Sequence, residues 1–229
     1  MTPARNRRDL LLEELEVYGG PLYGPGNGQS TVEQVVEFSN DITLDTFREQ
    51  IQGCLKCELG HSRTHFVFGV GNPNADLLFV GEAPGEQEDL KGEPFVGRAG
   101  KLLDDILRAI DLTRDKVYIA NVLKCRPPEN RDPKTDEIDL CEPYLIHQIK
   151  LIQPKLIVAL GRIAGSTLLR SKESLSNMRE KVYDYHGTDM VVTYHPAALL
   201  RNPNWKRPAW EDFKKIREMY LAKSGERKS

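Results

Sequence analysis

The sequence predicts an α/β fold: a mainly parallel sheet with helices on both faces. Three observations predict it. The candidate strands are the short apolar runs at residues 77–80 and 156–160 and the strand-like stretch at 117–122, the pattern of strands buried on both faces. Stretches with helical spacing lie between them, so strand and helix alternate along the chain. The strands also end in unusual chemistry: Gly81-Glu82-Ala83-Pro84-Gly85, Asn121, Gly161-Arg162 and His195-Pro196-Ala197. Open parallel sheets bind ligands at the carboxyl ends of their strands, so these ends are expected on one rim.

The elements follow in order. Residues 4–18 carry Leu10, Leu11, Leu12 and Leu15 at helical spacing among Glu13, Glu14 and Glu16. Seven of the ten residues 19–28 are Gly or Pro, the composition of a flexible linker. Residues 1–40 are therefore expected to be an N-terminal appendage, and 41–229 the domain proper. Residues 41–52 read as a helix capped by Thr43 or Asp45. The apolar run at 77–80 ends in the glycine-rich loop. Residues 100–110 place Leu102, Leu103, Ile106, Leu107 and Ile110 on one side of a helix. A strand follows at 117–122, and then a helix from Thr135 to Ile152 with Asp136 and Glu137 in its first turn. Residues 156–160 form a buried strand that ends in Gly161, and 162–169 a short helix. Residues 181–185 and 190–194 flank His186-Gly187-Thr188-Asp189, a hairpin turn. An amphipathic helix at 205–222 closes the chain.

Composition narrows the function. With 39% hydrophobic and 29% charged residues, the 229-residue chain is globular rather than disordered or fibrous. No apolar run approaches the ~20 residues of a membrane span, and no apolar stretch with a cleavage site follows the N-terminus. The net charge of -2 excludes bulk basicity as the basis for binding an anion, so an anionic partner must meet a local patch. The four cysteines, Cys54-x2-Cys57 and Cys125-x15-Cys141, argue for a metal or cluster site over a disulfide framework. Four thiolates suit structural zinc or an iron–sulfur cluster. Zinc ribbons use two close pairs, and here only one pair is close, so the spacing fits a cluster better and leaves both open.

Gly81-Glu82-Ala83-Pro84-Gly85 lacks the Lys-Ser/Thr of a P-loop and the third glycine of a dinucleotide fingerprint. The carboxylates of Glu82, Glu88 and Asp89 would repel phosphate. ATP and NAD are accordingly disfavoured.

Taken together, these motifs resemble the family 4 uracil-DNA glycosylases, the iron–sulfur branch of that superfamily. The likeness runs from about Ile51 to about Trp210. It comprises Cys54-x2-Cys57, the run from Gly81 to Asp89, the run from Gly92 to Gly100, and the run from Asn121 to Arg131. Cys141-Glu142-Pro143-Tyr144-Leu145 and His195-Pro196-Ala197 complete it. The resemblance implies a three-layer α/β/α sandwich around a four-stranded, mainly parallel sheet. It also implies a [4Fe-4S] cluster on Cys54, Cys57, Cys125 and Cys141, and removal of uracil from deaminated DNA.

Such an enzyme takes uracil out of the stack, reads it, and stabilises charge as the glycosidic bond breaks. Phe95 offers a flat face to the flipped ring. Asn121 presents an acceptor and donors to the uracil edge. His195, held extended by Pro196, is the position that hydrogen-bonds uracil O2 in the family. The superfamily's best-known branch has an aspartate at the position of Ala83, which cannot polarise water, so Asn130 is the position offered for orienting water or the sugar. Glu82 contacts the base through its backbone, and Glu82 and Glu88 add electrostatic stabilisation of a cationic sugar. Catalytic roles thus fall to His195, Asn130, Glu82 and Glu88, and uracil binding to Glu82, Ala83, Phe95, Asn121 and His195.

DNA contacts are expected from Arg98, Lys101, Lys124, Arg126, Arg131, Arg201, Lys206 and Arg207, which lie beside the motifs. Arg201-Asn202-Pro203-Asn204 resembles the family's minor-groove loop. The expected partner is uracil-containing DNA, single- or double-stranded, met by a cytoplasmic monomer away from any membrane. Two other readings compete. One is a non-catalytic iron–sulfur module that recognises uracil or docks on a replication protein; Asn121, Asn130 and His195 disfavour it. The other is a related branch that stays covalently attached to its product through a loop histidine, and residues 169–174 contain no histidine.

Overall fold

A computed structural model describes residues 38, 39 and 41–225. The helix expected at 4–18 and the linker at 19–28 lie outside them. The sheet order is β1-β3-β2-β4-β6-β5, with β1 Val70–Gly71, β2 Leu77–Gly81, β3 Tyr118–Asn121, β4 Leu156–Leu160, β5 Val182–Tyr185 and β6 Thr188–Thr193. The helices are α1 Leu44–Ile51, α2 Leu59–Ser62, α3 Glu86–Lys91, α4 Arg98–Ala109, α5 Thr135–Ile152, α6 Arg162–Leu168, α7 Leu175–Arg179, α8 Pro196–Arg201 and α9 Lys206–Ser224.

The four central strands β3, β2, β4 and β6 are parallel, as expected, while β1 and β5 add antiparallel edges. The four-stranded expectation is thus corrected to a six-stranded mixed sheet. β1 escapes sequence reading because it has only two residues, one of them glycine. The hairpin is also tighter than expected. Only His186 and Gly187 turn, both at positive φ (51° and 82°), and Thr188 and Asp189 belong to β6. Two-residue hairpin loops take that conformation because its twist matches the strands.

The strands alternate between two cores. Leu78, Val80, Tyr118, Ala120, Ile157, Ala159, Met190 and Val192 pack with α1 and α5 on one face. Leu77, Phe79, Ile119, Leu156, Val158, Leu160 and Val191 pack with Leu103 and Leu107 of α4 and Phe213, Ile216 and Tyr220 of α9 on the other. This period of two, with both faces covered, makes the α/β/α sandwich. Among the described residues no helix is long and apolar enough to cross a membrane.

Local chemistry starts the helices. Thr43 Oγ1 accepts from Thr46 N at 3.1 Å and caps α1. In α5, Glu137 reaches back to Lys134 N at 2.9 Å. From β2 the chain moves to β3 on one side and then crosses to β4 and β6 on the other. The strand order therefore reverses at β2, and a crevice opens at its carboxyl end, where Gly81 lies.

Candidate active site

Gly81 and Asn121 are register partners at the ends of β2 and β3. The pairing continues past the strands, from Val122 N to the Gly81 carbonyl at 2.9 Å and from Leu123 N to that of Glu82 at 3.0 Å. Gly81 has to be glycine: a Cβ there would stand 2.3 Å from Asn121 Oδ1 and 2.8 Å from the Phe95 ring. The Phe95 ring lies against the His195 imidazole, with centroids 5.4 Å apart and planes 29° apart. Gly161, just after β4 at φ 94°, would put a Cβ 2.9 Å from that of His195. Asn121, Phe95 and His195 thus converge on the β2 crevice, brought there by the ends of β3 and β6 and by the loop between α3 and α4.

The loop carrying Phe95 is held from several sides. Phe95 itself has φ 55°. Arg114 donates to the carbonyls of Phe95 and of Pro94, the latter at 3.2 Å. A Cβ on Gly100 in α4 would collide with the Phe95 carbonyl at 1.6 Å, so only glycine admits this approach. Glu88 Oε1 accepts from Val96 N and Gly97 N, both at 2.9 Å, and Oε2 from Gly85 N at 3.1 Å. Glu88, expected to act beside the sugar, spends its carboxylate on the backbone that frames the pocket. Its negative charge is still felt at His195.

His195 caps α8. Its Nδ1 accepts from Ala197 N at 3.1 Å. Burial, and then the charge of Arg201, push its pKa down to about 4, against a smaller upward pull from Glu88. Glu82 is half-buried beside the crevice. Burial and then Asp132 raise its pKa to about 7, while Arg162 and Arg201 pull it down. Ala83 is half-buried and packs on the α1–α5 core. Asn130 is exposed on a short 3-10 turn, Pro128–Asn130, at φ 54°, and its Oδ1 accepts from Arg126 Nε at 2.8 Å. Asp132, two residues on, is near enough for its charge to act on Glu82, so this loop faces the Glu82 side of the site.

The basic residues divide. Arg98, Lys101, Arg201, Lys206 and Arg207 are exposed. Arg131 is held in a two-pronged ion pair with buried Glu137, at 2.8 and 2.5 Å. Lys124, expected at DNA, is fully buried, which corrects that assignment. Its Nζ donates to the Asn121 carbonyl at 2.8 Å and to Gln148 Oε1 at 2.6 Å. Burial lowers its pKa to about 8, opposed by Cys141 and Cys125. Two hollows of about 650 and 520 Å³ lie elsewhere, along the β1 edge around Arg48, and neither is lined by Asn121, Phe95 or His195.

Four free cysteines come from three segments: the loop after α1, the loop after β3, and α5. Cys54 Sγ accepts from Tyr144 Oη at 3.2 Å, Cys125 Sγ from Arg63 Nη1 at 3.3 Å, and Cys141 Sγ from Lys124 N at 3.3 Å. Cys125 is close enough to feel both Cys54 and Cys57, and Cys141 feels Cys125 and Cys54. Burial raises the pKa of the Cys125 and Cys141 thiols, against the downward pull of Arg63 on the first and Lys124 on the second, so deprotonating these sulfurs falls to a bound metal centre. Among the described residues no three ligating side chains close around a point fit for a single metal ion. Four cysteine sulfurs are a donor set that a [4Fe-4S] cluster or a structural zinc accepts.

Sheet topology, crevice and converging residues define the class, and the chain belongs to the uracil DNA glycosylase superfamily, whose family model matches residues 68–214. Among its relatives is a type-4 uracil-DNA glycosylase of Sulfurisphaera tokodaii, 50% identical over 78% of this chain and 86% of the relative. Type-4 enzymes of Archaeoglobus fulgidus and Thermotoga maritima are 46% and 41% identical, over 77% and 82% of this chain and 93% and 100% of theirs. Within the superfamily the chain therefore belongs to the type-4 uracil-DNA glycosylases.

Proposed function

We propose that the chain removes uracil from DNA by hydrolysing its N-glycosidic bond, leaving an abasic site as a step of DNA repair. One observation carries the mechanism: the bond from Ala197 N to His195 Nδ1. A ring nitrogen that accepts a hydrogen bond bears no proton, so the neutral imidazole carries its proton on Nε2. A pKa near 4 keeps the ring neutral at ordinary pH. Nε2–H is then a fixed donor for uracil O2. As the bond from sugar C1′ to uracil N1 lengthens, its electron pair moves onto the base, and charge gathers at N1 and O2. A donor at O2 binds that transition state more tightly than the ground state. Uracil leaves as an anion; water adds to C1′, and its proton goes to the base or to solvent.

In this reading Asn121 reads the uracil edge with its amide, Phe95 supplies the stacking face, and the backbone of Glu82 and Ala83 lines the base. The Glu82 carboxylate faces the cationic sugar when ionised. Asn130, steadied by Arg126, positions the water or the sugar in place of the carboxylate that Ala83 lacks. Glu88 acts through the loop it holds. Arg98, Lys101, Arg126 and Arg201 meet the phosphates of single- or double-stranded DNA; Arg131 contributes only insofar as it leaves Glu137. Cys54, Cys57, Cys125 and Cys141 hold a [4Fe-4S] cluster, which when bound supplies a structural cross-link and no redox step. A pocket assembled within one chain supports a monomer, and four cysteines that serve as ligands and form no disulfide suit a reducing, cytoplasmic compartment.

The test is base release from uracil-containing oligonucleotides by protein purified without oxygen, with iron and sulfide measured on the same sample. Free uracil and an abasic product are expected. A denaturing gel that retains protein on the DNA would favour the covalent branch, and binding without release would favour the non-catalytic module.

A further inference from the structure

Lys124 stands where the cysteine site and the base-reading strand meet. It is among the largest fully buried side chains. Its backbone N–H donates to Cys141 Sγ, and Cys125 is the next residue. One of its Nζ bonds runs to the Asn121 carbonyl and another to Gln148, which is itself fully buried and anchored by donating to the Phe68 carbonyl at 3.0 Å. The residue is thus held against one cysteine sulfur by its backbone and joined to a second cysteine in the chain, and among the described residues no ion pair links its ammonium to a carboxylate. A buried ammonium without a counter-charge is strongly disfavoured. Four thiolates around a [4Fe-4S] core carry net negative charge and supply one. The Asn121 carbonyl is the last of β3, and the ammonium takes the place of a further ladder donor.

We propose that Lys124 is a positioning residue that makes uracil reading depend on the cluster: it is the internal counter-cation of the four thiolates, and by capping the Asn121 carbonyl it fixes the strand end from which the Asn121 amide meets the base. The inference rests on the cluster assigned above. Removing the ammonium frees that strand end and also leaves the thiolates uncompensated. Removing Gln148 loosens the ammonium but keeps its charge beside the sulfurs.

The experiment compares iron-loaded wild type, Lys124→Met and Gln148→Leu, all purified without oxygen. Three quantities are read: the midpoint potential of the cluster, iron retained under a chelator, and the Kd for free uracil. For Lys124→Met the potential should move negative, because a nearby positive charge no longer favours the more negative reduced state. Iron should leave faster, and uracil binding should weaken about tenfold, the worth of one well-placed hydrogen bond. Gln148→Leu should keep the wild-type potential and weaken uracil binding by a smaller factor. An unchanged potential together with an unchanged uracil Kd in Lys124→Met overturns the proposal. If that variant does not fold, wild-type uracil affinity in Gln148→Leu overturns the clamp by itself. A wild type that releases uracil but holds no iron removes the cluster assignment, and this coupling with it.

Discussion

Gly81→Ala disturbs the pocket without deleting a functional group. The position lies in a strand with no left-handed dihedral, so alanine adds no backbone strain. Its methyl, however, would meet Asn121 Oδ1 at 2.3 Å and the Phe95 ring at 2.8 Å, where ordinary contact begins at 3.4 Å. Something must move by about 1 Å. The backbone cannot easily do so, because β2 is bonded to β3 on one side and β4 on the other, and Gly81 is itself tied to Val122. The Asn121 amide and the Phe95 ring are left to shift. A misplacement of about 1 Å typically slows a reaction by about a hundredfold, or about 2.7 kcal/mol of barrier. Overpacking should also lower stability by about 1–3 kcal/mol. The assay is single-turnover uracil release at saturating enzyme, with thermal unfolding and iron content followed in parallel. A folded Gly81→Ala protein that works within about fivefold of wild type would refute the convergence of Gly81, Asn121 and Phe95 on one pocket.

His195→Ala should slow excision by roughly a hundred- to a thousandfold while leaving iron and affinity for undamaged DNA intact, and a single-turnover time course reads this directly. In wild type the imidazole should contribute no pH dependence above about pH 5, since its pKa lies near 4; a His195-dependent step near 6.5 would contradict the buried neutral ring. Glu82, with a pKa near 7, should give a rate that rises between about pH 6 and 8, and Glu82→Gln should flatten it. The stability sign runs the other way: between the ordinary 4.5 and about 7 the folded state binds the extra proton, so stability falls as pH rises through that window and levels off above it. Chemical denaturation of wild type and Glu82→Gln at pH 5 and 8 measures the difference. Cys125→Ser should lose iron together with its visible absorbance, and unchanged iron per protein would remove Cys125 from the ligand set.

The central sheet is legible because its strands are apolar on both faces. Leu156–Leu160 and Thr135–Ile152 fall on the residues their periodicity predicts. Elements set by tertiary contact are not legible. β1 needs β3 to exist at all, and α8 is a short segment begun by Pro196 and the His195 cap. In the site, the strand-end motifs lead to Asn121 and His195, which meet as a rim of strand ends should, while Phe95 reaches them from a helix–helix loop that only the family resemblance pointed to. Lys124 is misread because a lysine beside arginines looks exposed. Its burial depends on Gln148, twenty-four residues away on another element. The ion pair of Arg131 is hidden in the same way, since its partner Glu137 lies across a helix start. The supporting role of Glu88 emerges only once the 95–97 backbone has folded over it.

His195 also depends on a helix that follows it. Thr193 Oγ1 donates to Asp212 Oδ2 at 2.6 Å, and Arg179 bridges Asp212, the Pro208 carbonyl and Tyr194 Oη. The two residues just before His195 are thereby moored to α9. A premature stop codon between Pro196 and Asp212 would spare every residue assigned to uracil and yet unmoor the strand that delivers the imidazole. Such alleles should behave as complete losses rather than partial ones, and a fusion tag joined within α9 should be as damaging as a lesion in the pocket.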